Sequence, residues 1–231
     1  MHSIVKLSIV AVMAASVFAQ QPGRGPAGAG AGAGERSARV TRPALFLREE
    51  WKQIPAGGEH PVTMEATANE NLELKLYGSG KEIQLTGSAG NESDPIHLWT
   101  GLCTNLCGAT LRDKNNFADL TGLARIKWLT KVSGFHRVHP IVKLADGTWL
   151  VGDRADGSTA DWLLSEFAVS EIRWLRLDIE KLLPKGNYLD KVDLSKVDEI
   201  GFADLMPGSG HGPGGWIDVA TIEVYAKPVK R

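Results

Sequence analysis

Apolar and polar residues alternate with a period of two in several segments of this 231-residue sequence, and this alternation restricts the fold more than any other feature. It is clearest in NLELKLYG (71–78), LARIKWLTK (123–131) and IRWLRLDIE (172–180). Successive side chains of a β-strand point to opposite faces, so the pattern predicts strands with one buried face. The best helical candidate is short, from Thr159 to Glu166. Many short strands between Gly- and Pro-containing turns predict an all-β protein, an antiparallel β-sandwich or barrel.

The segment IVKLADGTWLVGD (141–153) carries a hairpin signal. Asp146 and Gly147 separate two apolar-rich runs, and Asp-Gly is favoured in two-residue hairpin turns because such turns need positive φ angles. The sequence therefore predicts two antiparallel strands joined here by a two-residue turn.

The N-terminal residues predict export. Lys6 precedes an apolar run from Leu7 to Phe18, and Val17 and Ala19 suit the −3 and −1 positions of a signal-peptidase site, so residues 1–19 are interpreted as a cleavable signal peptide. The run is too short for a membrane span. A buried N-terminal helix is the less favoured alternative. The expected location is secreted or periplasmic.

The next segment, residues 20–39, is rich in Gly, Ala and Pro and contains almost no large apolar residue. It cannot bury an apolar face, so we expect a flexible linker. Residues 40–231 have the length of one domain with one core, and the sequence predicts a single β-sandwich domain there. The formal net charge of the chain is −1 and no basic stripe occurs, so nucleic acid is not an expected partner.

Cys103 and Cys107 are the two cysteines of the sequence, in GLCTNLCG. In an exported protein an even number of cysteines indicates a disulfide, which we predict between them. Free thiols and a metal site are the alternatives; a zinc site would need further Cys or His ligands at close spacing, and none follow.

The segment DLMPGSGHGPGGWID (204–218) holds five glycines around one histidine. Its G-x-G-x-x-G spacing does not indicate dinucleotide binding, because that motif must open a helix and here an alternating strand pattern follows. Two interpretations stay open: a ligand-facing loop that exposes His211 and Trp216, or a mobile turn without a ligand.

The order of five segments resembles the galactose-binding-like jelly roll of many carbohydrate-binding modules and of complex I intermediate-associated proteins. These segments are FADLTGLARIKW, IVKLADGTWLVGD, EFAVSEIRWLRLDI, DLSKVDEIGFADL and WIDVATIEVYAKP. The resemblance covers about Phe117 to Ala226 and implies a jelly-roll sandwich; it transfers function only by analogy. The chain also resembles secreted bacterial proteins of unknown function that share "VDEIGF-DLMPG" and "LADGTWLV-D".

Tryptophan is frequent, and indole rings are flat amphipathic platforms for the apolar faces of sugars. Trp149, Trp162 and Trp216 follow turns or loops and are, with His211, the candidate ligand-binding residues. For each indole taken singly, plain core packing is the favoured interpretation, because indoles are mostly buried. The leading hypothesis is a non-catalytic carbohydrate-binding domain with a polysaccharide or glycan partner. The alternatives are a sugar-acting hydrolase or lyase, for which no catalytic cluster is evident, and a structural or interaction protein of the cell envelope.

The acidic stretch after the hairpin contains Asp153, Asp156 and Asp161. Calcium prefers several oxygen ligands, and modules of the resembling type often carry a structural calcium, so these carboxylates are candidate calcium ligands. The spacing is not that of an EF-hand, and a solvated loop is the alternative.

Overall fold

The computed structural model describes residues 41–55 and 58–231, which belong to one compact unit. The predicted signal peptide (1–19) and linker (20–39) lie outside the described residues. Among the described residues, no helix is long and apolar enough to cross a membrane.

The described part of the chain forms short β-strands and three single 3₁₀ turns. The strands are β1 (Leu45–Glu50), β2 (His60–Pro61), β3 (Leu72–Gly78), β4 (Gln84–Thr86), β5 (His97–Trp99), β6 (Cys107–Asp113), β7 (Asn116–Asp119), β8 (Arg125–Val132), β9 (Val138–Leu144), β10 (Trp149–Gly152), β11 (Leu163–Ala168), β12 (Trp174–Asp178), β13 (Leu183–Lys185), β14 (Val197–Asp204), β15 (Ile217–Tyr225) and β16 (Lys227–Lys230). The 3₁₀ turns are Met64–Ala66, Gly80–Glu82 and Val169–Glu171.

The strands form two sheets in which neighbouring strands are antiparallel. Sheet 1 has the order β11-β8-β15-β5-β4-β2, and β1 also pairs with β15. Sheet 2 has the order β13-β12-β10-β9-β14-β6-β3, and β7 pairs with β14 and β16. The predicted all-β, antiparallel β-sandwich is confirmed.

The core lies between the inner faces of the two sheets. Trp128 and Leu98 of sheet 1 and Phe202 and Leu111 of sheet 2 are at most 1% exposed and belong to one apolar cluster. In β8 buried and half-buried residues alternate strictly, as the sequence pattern predicts. The polar partners in this alternation, such as Lys131, therefore point away from the core, on the outward face of sheet 1.

The predicted hairpin is present, but its turn is longer than predicted. β9 and β10 pair antiparallel, with Trp149 opposite Lys143. The Leu144 N–H donates to the Thr148 carbonyl (2.8 Å), which leaves three loop residues, and of these only Gly147 has a positive φ (89°). The two-residue turn was wrong because a turn with one left-handed glycine suits a three-residue loop.

The helical candidate from Thr159 to Glu166 was also wrong. Leu163–Ala168 forms β11, which pairs antiparallel with β8. Ser165 and Phe167 are its buried positions, and the Phe167 ring contacts Trp128 edge-on at 4.9 Å. The edge of β8 offers hydrogen-bonding partners to this segment, and its alternating side chains can bury one face there. Both effects outweigh the weak local tendency of the segment to form a helix.

Candidate functional site

Outward-facing side chains of three adjacent strands meet at one end of sheet 1. Asp218 of β15 lies opposite Trp99 of β5 on one side and opposite Lys131 of β8 on the other. His97 is two residues before Trp99 and therefore shares its face. The intervening Leu98 points into the core and is fully buried. The register of the sheet thus assembles two aromatic rings, a carboxylate and an ammonium group on one surface.

The glycine-rich segment folds over this surface and adds two more rings. The His211 imidazole stacks on the Trp99 indole, with centroids 4.6 Å apart and an interplanar angle of 21°. Trp216 meets Trp99 edge-on at 6.2 Å, and its Nε1–H donates to Asp218 Oδ2 at 3.1 Å. His211 and Trp216 are therefore brought together, as a ligand-facing loop would require.

Trp162 reaches the same place from the connection between β10 and β11. Its ring contacts His97 edge-on at 5.1 Å, and its Nε1–H donates to the Ser93 carbonyl at 3.2 Å. Trp162, His211 and Trp216 line a cleft of about 190 Å³, which we name the tryptophan cleft. The other described residues that line it are Glu59, Thr86, Asp94, His97, Trp99, Lys131 and Asp218.

Trp149, the fourth candidate, does not join this cleft. It lies on the outward face of sheet 2, is 9% exposed and belongs to a second apolar cluster. Tyr77 contacts its ring edge-on at 4.7 Å, and Lys143 Nζ lies 5.7 Å from its centroid. These contacts fit the interpretation that Trp149 packs against apolar neighbours and does not bind a ligand.

The charge of the tryptophan cleft centres on His97 and Asp218. His97 Nε2 lies 3.4 Å from Asp218 Oδ1, and its Nδ1 lies 2.7 Å from the Pro95 carbonyl oxygen. Burial lowers the pKa of His97, but the hydrogen bond and charge of Asp218 outweigh burial and raise the pKa above its ordinary value. Asp218 thus holds both the imidazole and the Trp216 indole in place.

The glycines allow the loop to pack backbone against backbone. The Gly208 N–H donates to the Cys103 carbonyl (2.8 Å), and the Gly210 N–H donates to the Gly101 carbonyl (2.7 Å). A Cβ on Gly208 would lie 2.3 Å from the Gly101 oxygen, and a Cβ on Gly101 would lie 2.1 Å from the Trp99 ring. The segment is therefore anchored to the loop after β5, and its glycines permit close approach.

The loop after β5 is itself held at both ends. The predicted disulfide between Cys103 and Cys107 is confirmed. Thr100 Oγ1 donates to Asp204 Oδ2 (2.7 Å) and accepts from the Ile217 N–H (2.9 Å). His136 Nδ1 lies 2.8 Å from the same carboxylate oxygen, in a fully buried setting. This network joins the ends of β14, β5 and β15 beneath the cleft.

The three carboxylates predicted to bind calcium do not converge. Asp153 forms an ion pair with Arg173 (2.7 Å), whereas Asp156 accepts a hydrogen bond from the buried Trp128 indole N–H (2.7 Å). Asp161 accepts from the Trp162 N–H (2.8 Å). Within residues 41–55 and 58–231, no group of three His, Cys, Asp or Glu side chains could hold a metal ion. These residues do not fit a calcium site.

Sequence reasoning did not identify Trp99, His97 and Asp218 as site residues. One signal was available: His97 and Trp99 are two apart in IHLWTG, so a strand there presents both rings on one face. That this face borders Trp216 depends on the pairing of β5 with β15. Period-two alternation identifies faces of a strand but does not identify its neighbour.

No protein-family profile matches the sequence, and no curated protein matches it significantly. Among solved structures, the chain is similar to the family 11 carbohydrate-binding module of the cellulosomal cellulase Lic26A-Cel5E of Clostridium thermocellum (TM-score 0.43, 16% identity, 81% of this chain and 97% of that one). It is also similar to TmCBM61 in complex with β-1,4-galactotriose (TM-score 0.36, 10%, 67% and 88%) and to an exo-β-agarase (0.39, 9%, 71% and 24%). At such TM-scores these similarities carry no argument about fold, ligand or activity.

Proposed function

We propose that this protein is a non-catalytic carbohydrate-binding domain that acts outside the cytoplasm and binds its glycan in the tryptophan cleft. The observation that carries the proposal is the convergence of Trp162, Trp216 and the stacked pair Trp99 and His211 on one cleft. Two of these indoles are half-buried and one imidazole is largely exposed, so aromatic surface is open to a ligand.

The chemistry of the cleft suits a sugar ring. The apolar C–H face of a pyranose packs against an indole, while its hydroxyl groups need donors and acceptors around the rim. Lys131 supplies a donor, and Glu59 and Asp94 supply acceptors. The indole of Trp216 is held by its bond to Asp218, so little side-chain entropy is lost when a sugar stacks on it.

Titration calorimetry with a panel of polysaccharides tests this proposal. Mixed-linked β-1,3-1,4-glucan, β-1,4-galactan and agarose are suitable probes, and each mixture is also assayed for new reducing ends. We expect binding to at least one polysaccharide without release of reducing ends. Tyr188→Ala removes an exposed aromatic ring whose centroid lies 4.3 Å from the guanidinium carbon of Arg173, the residue before β12 of sheet 2. It is the matched control and should bind normally.

The same measurements separate the alternative functions. New reducing ends or unsaturated products would favour a sugar-acting hydrolase or lyase on the same scaffold. A panel without any binding would contradict the proposal and favour a structural or interaction protein of the envelope.

A further inference from the structure

A second and larger cleft, of about 570 Å³, lies on the outward face of sheet 1. Pro95, Ile96 and Leu129 form much of its apolar lining, and Glu50, Glu92 and Thr221 contribute polar groups. We name it the neighbouring cleft. Its position relative to the tryptophan cleft follows from the register of the strands.

The two clefts follow one another along the strands. On β8, Leu129 lines the neighbouring cleft and Lys131 lines the tryptophan cleft; these residues are two apart and share the outward face. Beside them, Pro95 and Ile96 line the neighbouring cleft directly before His97 of the tryptophan cleft. Two residues of a strand span about 7 Å, so the clefts are adjacent.

A bulge in β15 makes the floor continuous. Asp218 lies opposite Lys131 and Thr221 lies opposite Leu129, so β15 has one residue more than β8 between these pairs. In a regular strand, residues three apart point to opposite faces. The extra residue turns Thr221 to the same outward face as Asp218, which is a known effect of bulges. One ligand can therefore lie along both clefts.

Carboxylates predominate among the charged residues that line the two clefts. Of the described lining residues, Glu50, Glu59, Glu92, Asp94 and Asp218 carry carboxylates, whereas Lys131 carries the one ammonium group. Glu50 is paired with Arg48, Glu59 lies 3.7 Å from His211 Nε2, and His97 lies within 3.7 Å of both Asp94 and Asp218. When these imidazoles are neutral, the carboxylates outnumber the ammonium and guanidinium groups, and an excess of negative charge remains. An anionic chain would be repelled at this surface, and an uncharged chain would not.

We propose that the two clefts together bind an internal segment of an uncharged polysaccharide chain. This inference rests on the proposed function and extends it to the length and charge of the ligand. The tryptophan cleft holds one part of the segment against its aromatic rings, and the neighbouring cleft holds the next part against Leu129 and Ile96.

Oligosaccharides of increasing length, from disaccharide to hexasaccharide, test the inference. The probes are fragments of mixed-linked β-1,3-1,4-glucan and of β-1,4-galactan, with oligogalacturonides as the anionic comparison at low ionic strength. We expect the affinity for the series that binds to rise by about tenfold or more from disaccharide to hexasaccharide, beyond the few-fold statistical gain of a repeating chain. Oligogalacturonides should bind at least about tenfold more weakly.

Variants of Leu129 locate the effect. Leu129→Glu should weaken hexasaccharide binding by about tenfold and leave disaccharide binding within about twofold, whereas Trp216→Ala should weaken both. Leu129→Ala serves if Leu129→Glu unfolds, with thermal melting as the check on folding, and should lose several-fold affinity for the hexasaccharide alone.

The outcomes separate this inference from the proposed function. Glycan binding that depends on Trp216 but not on chain length or on Leu129 would overturn the extended site and leave the proposed function standing. Tight binding of oligogalacturonides would overturn the preference for an uncharged chain. No binding of any glycan would contradict both proposals.

Discussion

At the scale of single residues, Trp99 shows how the cleft is built. It points outward from sheet 1 and yet is only 3% exposed, because the His211 and Trp216 rings cover it and its own ring folds over Gly101. The position of the Trp99 ring thus depends on Gly101, which has no side chain.

Gly101→Ala should therefore displace the Trp99 indole. The new Cβ would lie 2.1 Å from the ring, so either the ring or the loop must move. We expect a loss of about 1–3 kcal/mol in the free energy of unfolding, measured by urea denaturation, and weaker glycan binding. Gly157→Ala is the matched control, because nothing lies within 4 Å of its Cβ position and its φ is not positive. Equal stability and affinity in both variants would refute this role of Gly101.

The buried carboxyl group of Glu49 should make the free energy of unfolding depend on pH. Its fully buried carboxylate accepts the Ala68 N–H (2.6 Å) and the Asn69 N–H (3.3 Å). Burial raises its pKa to about 7, although these N–H groups and Lys52 oppose the shift. Between about pH 4.5 and 7 the folded state then binds more protons than the unfolded state, so stability falls as the pH rises.

Urea denaturation at several pH values measures this effect. The shift corresponds to a loss of about 3 kcal/mol between pH 5 and 8, and Glu49→Gln should remove most of it. The raised pKa of His97 acts in the same direction, because the stability it contributes at low pH is lost as the pH rises through its folded pKa, so a smaller slope should remain. An unchanged slope in Glu49→Gln would show that Glu49 is ionised in the folded protein.

At the scale of elements, the glycine-rich segment and the disulfide-closed loop after β5 act as one unit. The Cys103 carbonyl accepts the Gly208 N–H, and the Thr100 hydroxyl accepts the Ile217 N–H at the start of β15. A mobile turn would not need these bonds. The element that carries His211 and Trp216 is thus positioned by the element that follows Trp99.

Removal of the disulfide should therefore affect binding as well as stability. Closing so short a loop restricts the unfolded chain by about 2 kcal/mol in the entropic account. We expect the Cys103→Ala, Cys107→Ala double variant to lose about this much stability in urea denaturation and also to bind the polysaccharide more weakly, because the partner of Gly208 shifts. Unaltered affinity in a folded double variant would contradict the coupling of the two elements. Alkylation of the native protein without reductant should label no thiol.

At the scale of the whole molecule, the outward faces of the two sheets differ. The outward face of sheet 2 carries a second apolar cluster, formed by residues that include Ile141, Trp149 and Leu182. The outward face of sheet 1 instead carries the two adjacent clefts. Sheet 1 is therefore the face on which several aromatic rings line one cleft that is open to a chain.

The fold was more predictable from the sequence than the site. Alternation identified the strands and the inward position of Trp128, because the period of a strand is a local property. Alternation does not predict which strands pair, so it could not show that β5 lies beside β15 and places Trp99 next to Asp218. It also could not predict the bulge that turns Thr221 outward. Trp149 and Trp162 both follow turns, so the sequence makes them equivalent candidates. The packing of the two sheets distinguishes them: Trp149 is covered by its neighbours, whereas Trp162 lines the tryptophan cleft.

The most direct test of the account is Trp216→Ala, measured for glycan affinity and for stability beside Trp149→Ala. Loss of a stacking indole should weaken binding by about thirtyfold, or about 2 kcal/mol, while the free energy of unfolding falls by about 1 kcal/mol or less because Trp216 is only half-buried. Trp149→Ala should behave in the opposite way, losing about 3–5 kcal/mol of stability with little loss of affinity in the protein that remains folded. An unchanged affinity in Trp216→Ala, or its unfolding, would contradict the assignment of the tryptophan cleft as the binding site.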